Sequence, residues 1–131
     1  LPTSSQIFLS GGNLVNASGS KYLALMFATR AGISKVGSYV GNGSTQNIDC
    51  GFSTGARFVL VKGRATGNWY VFDSARGIGA STDPYLVTNS TSAEVTTADA
   101  VTAYSGGFAV NSANPPDINA NGSTYIYLAI A

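Results

Sequence analysis

The sequence predicts an all-β protein, an antiparallel β-sandwich of jelly-roll-like winding. Three observations carry that expectation. Short runs rich in Val, Ile, Phe and Tyr recur every ~8–12 residues, separated by Gly- and Asn-rich turns. No segment keeps apolar residues at i, i+3 and i+4 over three turns, so no amphipathic helix is expected. And one stretch, residues 57–73, reads as a complete hairpin around which the rest can pack.

That hairpin starts with Phe58-Val59-Leu60-Val61, apolar on both faces and bounded by Gly55 and Gly63. A short apolar run of β-branched and aromatic residues suits a strand covered on both sides. The turn follows at residues 63–68, with Gly63 and Gly67 free to adopt positive φ. Trp69-Tyr70-Val71-Phe72 returns, Trp69 and Val71 on one face, Tyr70 and Phe72 on the other. The hairpin holds the chain's single Trp and is expected to be the core.

The other elements follow in order. Residues 1–5 read as a linker or edge, and Ile7-Phe8-Leu9 as a short strand; Leu14-Val15 suggests a brief pairing. Residues 21–28 read as a strand with Tyr22, Ala24, Met26 and Ala28 on one face and Leu23, Leu25 and Phe27 on the other. Residues 32–40 alternate, with Val36, Ser38 and Val40 sharing a face. Residues 46–52 form a further short strand, and residues 73–85 the longest irregular stretch. Strands at 85–88, 101–104, 108–110 and 124–130 close the chain, with an Asn- and Pro-rich loop at 111–122.

Length and composition set the bounds. A chain of 131 residues favours one domain, and one able to bury about two-thirds of its unfolded surface without a metal or disulfide. Charged residues make up 10% and net charge is +1, so Gly, Ser, Thr and Asn supply solubility. No basic field exists to hold a nucleic acid backbone. No run approaches the ~20 apolar residues of a membrane span. The single cysteine, Cys50, is expected as a buried thiol. The chain starts at Leu1, which suggests a processed or excised piece of something longer.

One internal repeat stands out. Residues 16–28, NASGSKYLALMFA, align without gaps on residues 119–131, NANGSTYIYLAIA, with seven of thirteen positions identical. Ile7-Phe8-Leu9 upstream mirrors Phe108-Ala109-Val110 at a slightly different distance. A repeat spaced by ~100 residues indicates tandem modules, and residues 1–28 then read as the end of a preceding unit. Two similar hairpins in one sheet are the alternative.

Catalytic chemistry is thin. No histidine is present, which removes Ser-His and Cys-His catalysis and the commonest metal ligand. Glycoside hydrolysis needs two carboxylates across one cleft; the sequence places no such pair among its six acidic residues, and turnover lost on changing Asp73 or Glu94 to Ala is what would reveal one. Residues 117–122 begin a calcium-loop pattern, but position 12, which should be a bidentate Glu, is Leu128. Asn121-Gly122 reads better as a hairpin turn. No metal or cofactor is expected. Trp69, Tyr70, Tyr85 and Tyr104 are the candidate ligand-binding residues, a sugar-stacking platform, against the plainer reading of half-buried core aromatics.

Several strings taken together carry a family resemblance: GISKVGSY with GNGS (32–44), IDCGF (48–52), RFVLVK (57–62), NWYVFDSARG (68–77), Tyr85-Leu86 and NSTSAE (89–94). Over residues 20–131 the chain resembles a module of virion proteins from marine and cyanobacterial tailed phages. The resemblance implies a non-enzymatic structural or adhesive role in a tail fibre, appendage or capsid decoration, on the virion surface and extracellular. It implies homo-oligomers, a trimer favoured, contacting other virion proteins and a host-surface glycan, with no nucleic acid or membrane as partner. A carbohydrate-binding module is the alternative, and a polysaccharide depolymerase a more distant one.

Overall fold

The structure is a computed structural model and describes residues 6–9, 11, 14–64, 67–79, 82–112 and 117–131. Eight strands are formed: β1 Ser34–Val40, β2 Gln46–Asp49, β3 Phe58–Gly63, β4 Trp69–Asp73, β5 Tyr85–Val87, β6 Val101–Tyr104, β7 Gly107–Val110 and β8 Thr124–Ile130. They make two antiparallel sheets, a five-stranded one ordered β1-β8-β3-β4-β5 and a three-stranded one ordered β2-β7-β6. The fold is the expected all-β sandwich. The first strand pairs with the last and the second with the second-last, the pairing of a rolled-up hairpin.

β8 is bonded along both edges. Ser34 to Val40 pair with Ile130 to Thr124 on one side, and Phe58 to Gly63 with Ile130 to Tyr125 on the other. Its alternation sends Tyr125, Tyr127 and Ala129 into the core and Ile126 and Ile130 outward. The inward tyrosines make an aromatic cluster with Tyr39 of β1 and Phe108 of β7. Tyr39 stacks on Tyr125 at 5.2 Å between centroids, and Phe108 meets Tyr127 edge-on at 5.2 Å. Each such pair contributes about 0.5–1.5 kcal/mol beyond the area it buries. Gly37 of β1 makes room for this packing: a Cβ there would stand 2.7 Å from the Tyr127 hydroxyl oxygen.

The predicted hairpin forms as β3 and β4, in the register Lys62↔Trp69 to Phe58↔Asp73. β3 is the middle strand of its sheet. Val59, Val61 and Phe72 are fully buried between the sheets, facing Ile48, Val101, Phe108 and Val110 of the smaller sheet. Part of the turn, residues 65–66, lies outside the described residues, as do 80–81 of the irregular stretch and 113–116 of the Asn/Pro loop.

Two expectations are corrected. Trp69 does not join the core: it is half-buried on the outer face of the five-stranded sheet, with the Lys62 ammonium 5.9 Å from its ring. The strand alternates as expected, but Val59, Val61 and Phe72 fill the interior and leave the odd face of β4 outside. The second correction concerns the N-terminal region. Residues 7–9 and 14–29 contain no strand, and Leu23, Leu25, Met26 and Phe27 are exposed. The slot between β1 and β3 that their sequence matches is filled by β8 itself, and they do not pair with the edge strands β1, β5, β2 or β6. Residues 1–5 lie outside the described residues.

β7 approaches β2 so closely that a Cβ on Gly107 would collide with the carbonyl oxygen of Ile48 and stand 3.0 Å from the Cys50 sulfur. The Gly107→Ala substitution is therefore expected to cost about 1–3 kcal/mol by overpacking, measured by denaturant unfolding, whereas Gly51→Ala, with open space around it, costs only the left-handed strain of φ +71°.

Candidate functional site

Two surfaces offer themselves for binding. The first is the outer face of the five-stranded sheet. Strand alternation places Val36 and Val40 of β1, Ile126, Leu128 and Ile130 of β8, Phe58 and Leu60 of β3, Trp69 and Val71 of β4 and Leu86 of β5 on that face. An outer sheet face normally carries polar residues; here Lys62 and Asp73 are the charged side chains on it. A groove of about 780 Å³ runs along this face, lined by Leu60, Trp69, Val71, Ile126 and Leu128 and bordered by Leu25 and Phe27 of the N-terminal region. Val36, Ile126 and Ile130 remain exposed beside it. An exposed apolar sheet face of this kind is a candidate interaction surface.

The N-terminal region reaches this face through a tight turn. Arg30 and Ser34 exchange backbone hydrogen bonds at 2.8 and 2.9 Å. The Thr29 hydroxyl accepts from the Val36 N–H at 3.1 Å, and the Ser34 hydroxyl donates to the Ala28 carbonyl at 2.9 Å. Gly32, at φ +69°, supplies the left-handed residue the turn needs.

The second surface is a polar cleft of about 490 Å³ at one end of the sandwich, lined by Gly63, Arg64, Tyr70, Asp117, Ser123 and Tyr125. Asp117 accepts a hydrogen bond from the Tyr125 hydroxyl at 3.2 Å. The calcium-like pattern that begins at Asp117 is used structurally. Asn119, its third residue, is buried with its amide saturated. The Asn119 oxygen accepts from Asn42 N–H at 3.1 Å and from Gln46 Nε2 at 2.7 Å. Its nitrogen donates to the carbonyls of Ser44 at 2.7 Å and Asn111 at 3.2 Å. Among the described residues no group of three or more potential ligands is placed to hold a metal ion.

The four aromatic candidates do not share one surface. Tyr70 and Tyr85 meet edge-on at 5.5 Å, and Tyr85 also leans on Phe72. Tyr85 is buried; Tyr70 is half-buried and borders the polar cleft. Trp69 lies on the opposite face of β4, beside the apolar groove. Tyr104 stands in the other sheet, at the turn end of β6. The apolar groove escaped sequence reading because β3 and β8 look apolar on both faces; only register shows which residues line up outside.

Two of the carboxylates share one cation. Arg76 joins Asp73 and Glu94: one guanidinium nitrogen contacts Asp73 Oδ2, and Nε meets Glu94 Oε1 at 2.7 Å. Asp73 and Glu94 are thus brought to one guanidinium, in a half-exposed ion cluster. Asp83, by contrast, is fully buried. Its Oδ1 accepts from the Gly79 N–H at 3.3 Å, and its Oδ2 has no partner among the described residues. Burial pushes the Asp83 carboxyl up to about 6, and the neighbouring Asp99 carboxylate adds to the shift. Burial also pushes the Cys50 thiol up, as expected for an inert, enclosed cysteine.

The family model for a domain of unknown function (DUF7483) matches residues 1–131. The chain belongs to this family. No curated protein and no solved structure matches the chain. The DUF7483 match includes the N-terminal region as well as the eight strands.

Asp83 gives the domain a defined pH response. Its folded value of about 6 lies above the ordinary 3.8, so the folded state holds the proton more tightly than the unfolded chain. The Asp83 contribution is complete below the unfolded value and is lost as pH rises through the folded one. Stability is expected to fall by about 1–3 kcal/mol between pH 4 and pH 7 through this group, read from urea midpoints, and Asp83→Asn is expected to flatten that dependence.

Proposed function

We propose that this domain is a non-enzymatic structural module of a virion surface protein, a tail-fibre, appendage or capsid-decoration unit that assembles with further copies of itself. The observation that carries the reading is the apolar outer face of the five-stranded sheet, from Val36 through Ile126 and Leu60 to Val71. A second copy is the occupant that fits. The face carries few charges to repel a like surface. Small Ser, Thr, Asn and Gly side chains around it cost little rotamer entropy to order on contact. Symmetric repetition of one surface is how such assemblies gain avidity. The resemblance of residues 20–131 to phage virion modules supports the same setting, with a trimer as the favoured form. The saturated Asn119 amide and the shared Arg76 ion cluster support structural rather than catalytic use of the polar residues.

The polar cleft favours one second reading, glycan binding, because Tyr70 there adjoins Arg64 and Asp117. An aromatic face beside charged hydrogen-bonding groups suits a sugar. Glycan-array binding lost in both Tyr70→Ala and Arg64→Ala would establish it.

Sedimentation equilibrium on the purified chain at high micromolar concentration is expected to show an oligomer, with Val36→Glu and Ile126→Lys weakening association at least tenfold while the circular dichroism spectrum is kept. A monomer under those conditions overturns the assembly reading. Antibody labelling of particles is expected to place the protein on the exterior in symmetric groups. Polysaccharide turnover that disappears in Asp73→Ala or Glu94→Ala would overturn the non-enzymatic reading.

A further inference from the structure

The N-terminal region and the end of the chain share more than sequence. In residues 119–131, the Ala120 N–H donates to the Tyr125 hydroxyl at 3.0 Å, Ser123 N–H closes a turn onto the Ala120 carbonyl at 3.1 Å, and Gly122 has φ +78°. In residues 16–28, the Ala17 N–H donates to the Tyr22 hydroxyl at 3.1 Å, Ser20 N–H closes a turn onto the Ala17 carbonyl at 3.2 Å, and Gly19 has φ +76°. The same three-part lock, at equivalent positions, leads into β8 in one case and into residues 21–28 in the other. A chance match of strand-like composition would not reproduce a tyrosine-to-backbone bond across five residues and a left-handed glycine between them.

What differs is the surroundings. Tyr125 is 3% exposed, Ile118 0% and Leu128 6%. Their counterparts Tyr22, Val15 and Leu25 are 49%, 49% and 74% exposed. Upstream, Phe108 and Val110 of β7 are fully buried, whereas Ile7, Phe8 and Leu9 stand exposed. The described part of the region thus repeats the turn that leads into β8, but without the strand pairing and the burial that β7 and β8 have.

We infer that residues 7–28 are the β7 and β8 of a neighbouring unit of this same fold, placed ahead in one tandem polypeptide, and that the neighbour is incomplete without them. The inference rests on the assembly reading for its setting. β7 is the middle strand of the three-stranded sheet and β8 is bonded on both edges in the five-stranded one. A unit ending before them would have both sheets split. This chain's own slots are filled by Gly107–Val110 and Thr124–Ile130, so the region fits a different copy. The repeat spacing of ~100 residues is the length of one eight-strand unit, the span expected of tandem modules. The turn at residues 29–33 then joins the β8 of one unit to the β1 of the next.

The neighbour's core must also differ in a stated way. Ala24 stands where Tyr127 packs on Phe108, and Met26 where Ala129 is fully buried. The site facing Ala24 must therefore carry more side-chain volume than in this unit, and the site facing Met26 less, to keep packing density.

The test is a tandem chain in which residues 29–106 precede residues 7–131, with amide hydrogen exchange followed at residues 22–27. In the 131-residue chain alone these amides are expected to exchange at near-unfolded rates. In the tandem chain carrying Ala24→Tyr and Met26→Ala, which restore the core residues of β8, protection is expected to rise at least 100-fold. Gly19→Val is expected to abolish it without changing protection in β8. Protection that does not rise even with the matched core overturns the inference. So does concentration-dependent protection of residues 22–27 in the 131-residue chain, which would mean exchange between identical copies instead. The oligomer mass of the 131-residue chain is read separately, so the assembly reading stands or falls on its own.

Discussion

The sandwich depends on β8 entering between two strands that are already distant in sequence. β1 and β3 are not neighbours until the last strand separates and joins them, and every backbone group along β8 is answered from one side or the other. A strand in that position satisfies its own polar backbone and two other edges at once. It also delivers Tyr125 and Tyr127 to the ring cluster that fills the interior. The residues before it are organised to the same end. Asn119 ties the loop at 42–46 to the loop after β7 through four hydrogen bonds from one buried amide. Tyr39 donates to the Ile118 carbonyl at 2.6 Å, and burial drives its phenol well above the ordinary tyrosine range. These contacts join positions far apart in the chain, so loop-closure entropy must be met before they form.

Local physics was visible in the sequence and long-range pairing was not. Phe58-Val59-Leu60-Val61, a glycine-bounded turn and Trp69-Tyr70-Val71-Phe72 announce a hairpin because both partners lie within one short stretch. The bounds of β8 at Thr124 and Ile130 were equally legible, since Asn121-Gly122 fixes the turn before them. That β8 lies between β1 and β3 could not be read from periodicity, which fixes faces and not partners. The same limit explains Trp69. Alternation separated Trp69 and Val71 from Tyr70 and Phe72, but which pair faces inward is decided by the smaller sheet. Residues 21–28 show the opposite failure. Their composition is that of a strand, yet the interior slot their sequence matches is already filled by β8, and composition does not say whether a segment pairs with a sheet.

The candidate surfaces divide along the same line. Tyr70 could be picked out by type, and it does border a cleft with Arg64 and Asp117. The apolar groove could not, because Leu60, Val71 and Ile126 look like ordinary core residues until register sets them side by side on the outside. Neutral polar side chains elsewhere keep this face from being hidden among charges. With 10% charged residues and a net charge of +1 the chain has little field of its own, so any contact made through such a surface would depend on shape and apolar area more than on ionic strength.

The pairing of Ser34 with Ile130 has a mechanical meaning. The first residue of β1 and the last of β8 are cross-strand partners, so in the tandem chain inferred above both points of attachment would sit at one corner of the sandwich. A pulling force applied there does not load the seven pairs of this ladder in parallel. It peels them one after another from the corner inward, the weakest direction for an antiparallel pair. Units strung together as inferred above would hang beside the line of force instead of carrying it end to end. In such a chain reach would come from the width of each sandwich and the short turn at residues 29–33, and resistance to shear from contacts between neighbours, not from the strength of any single unit.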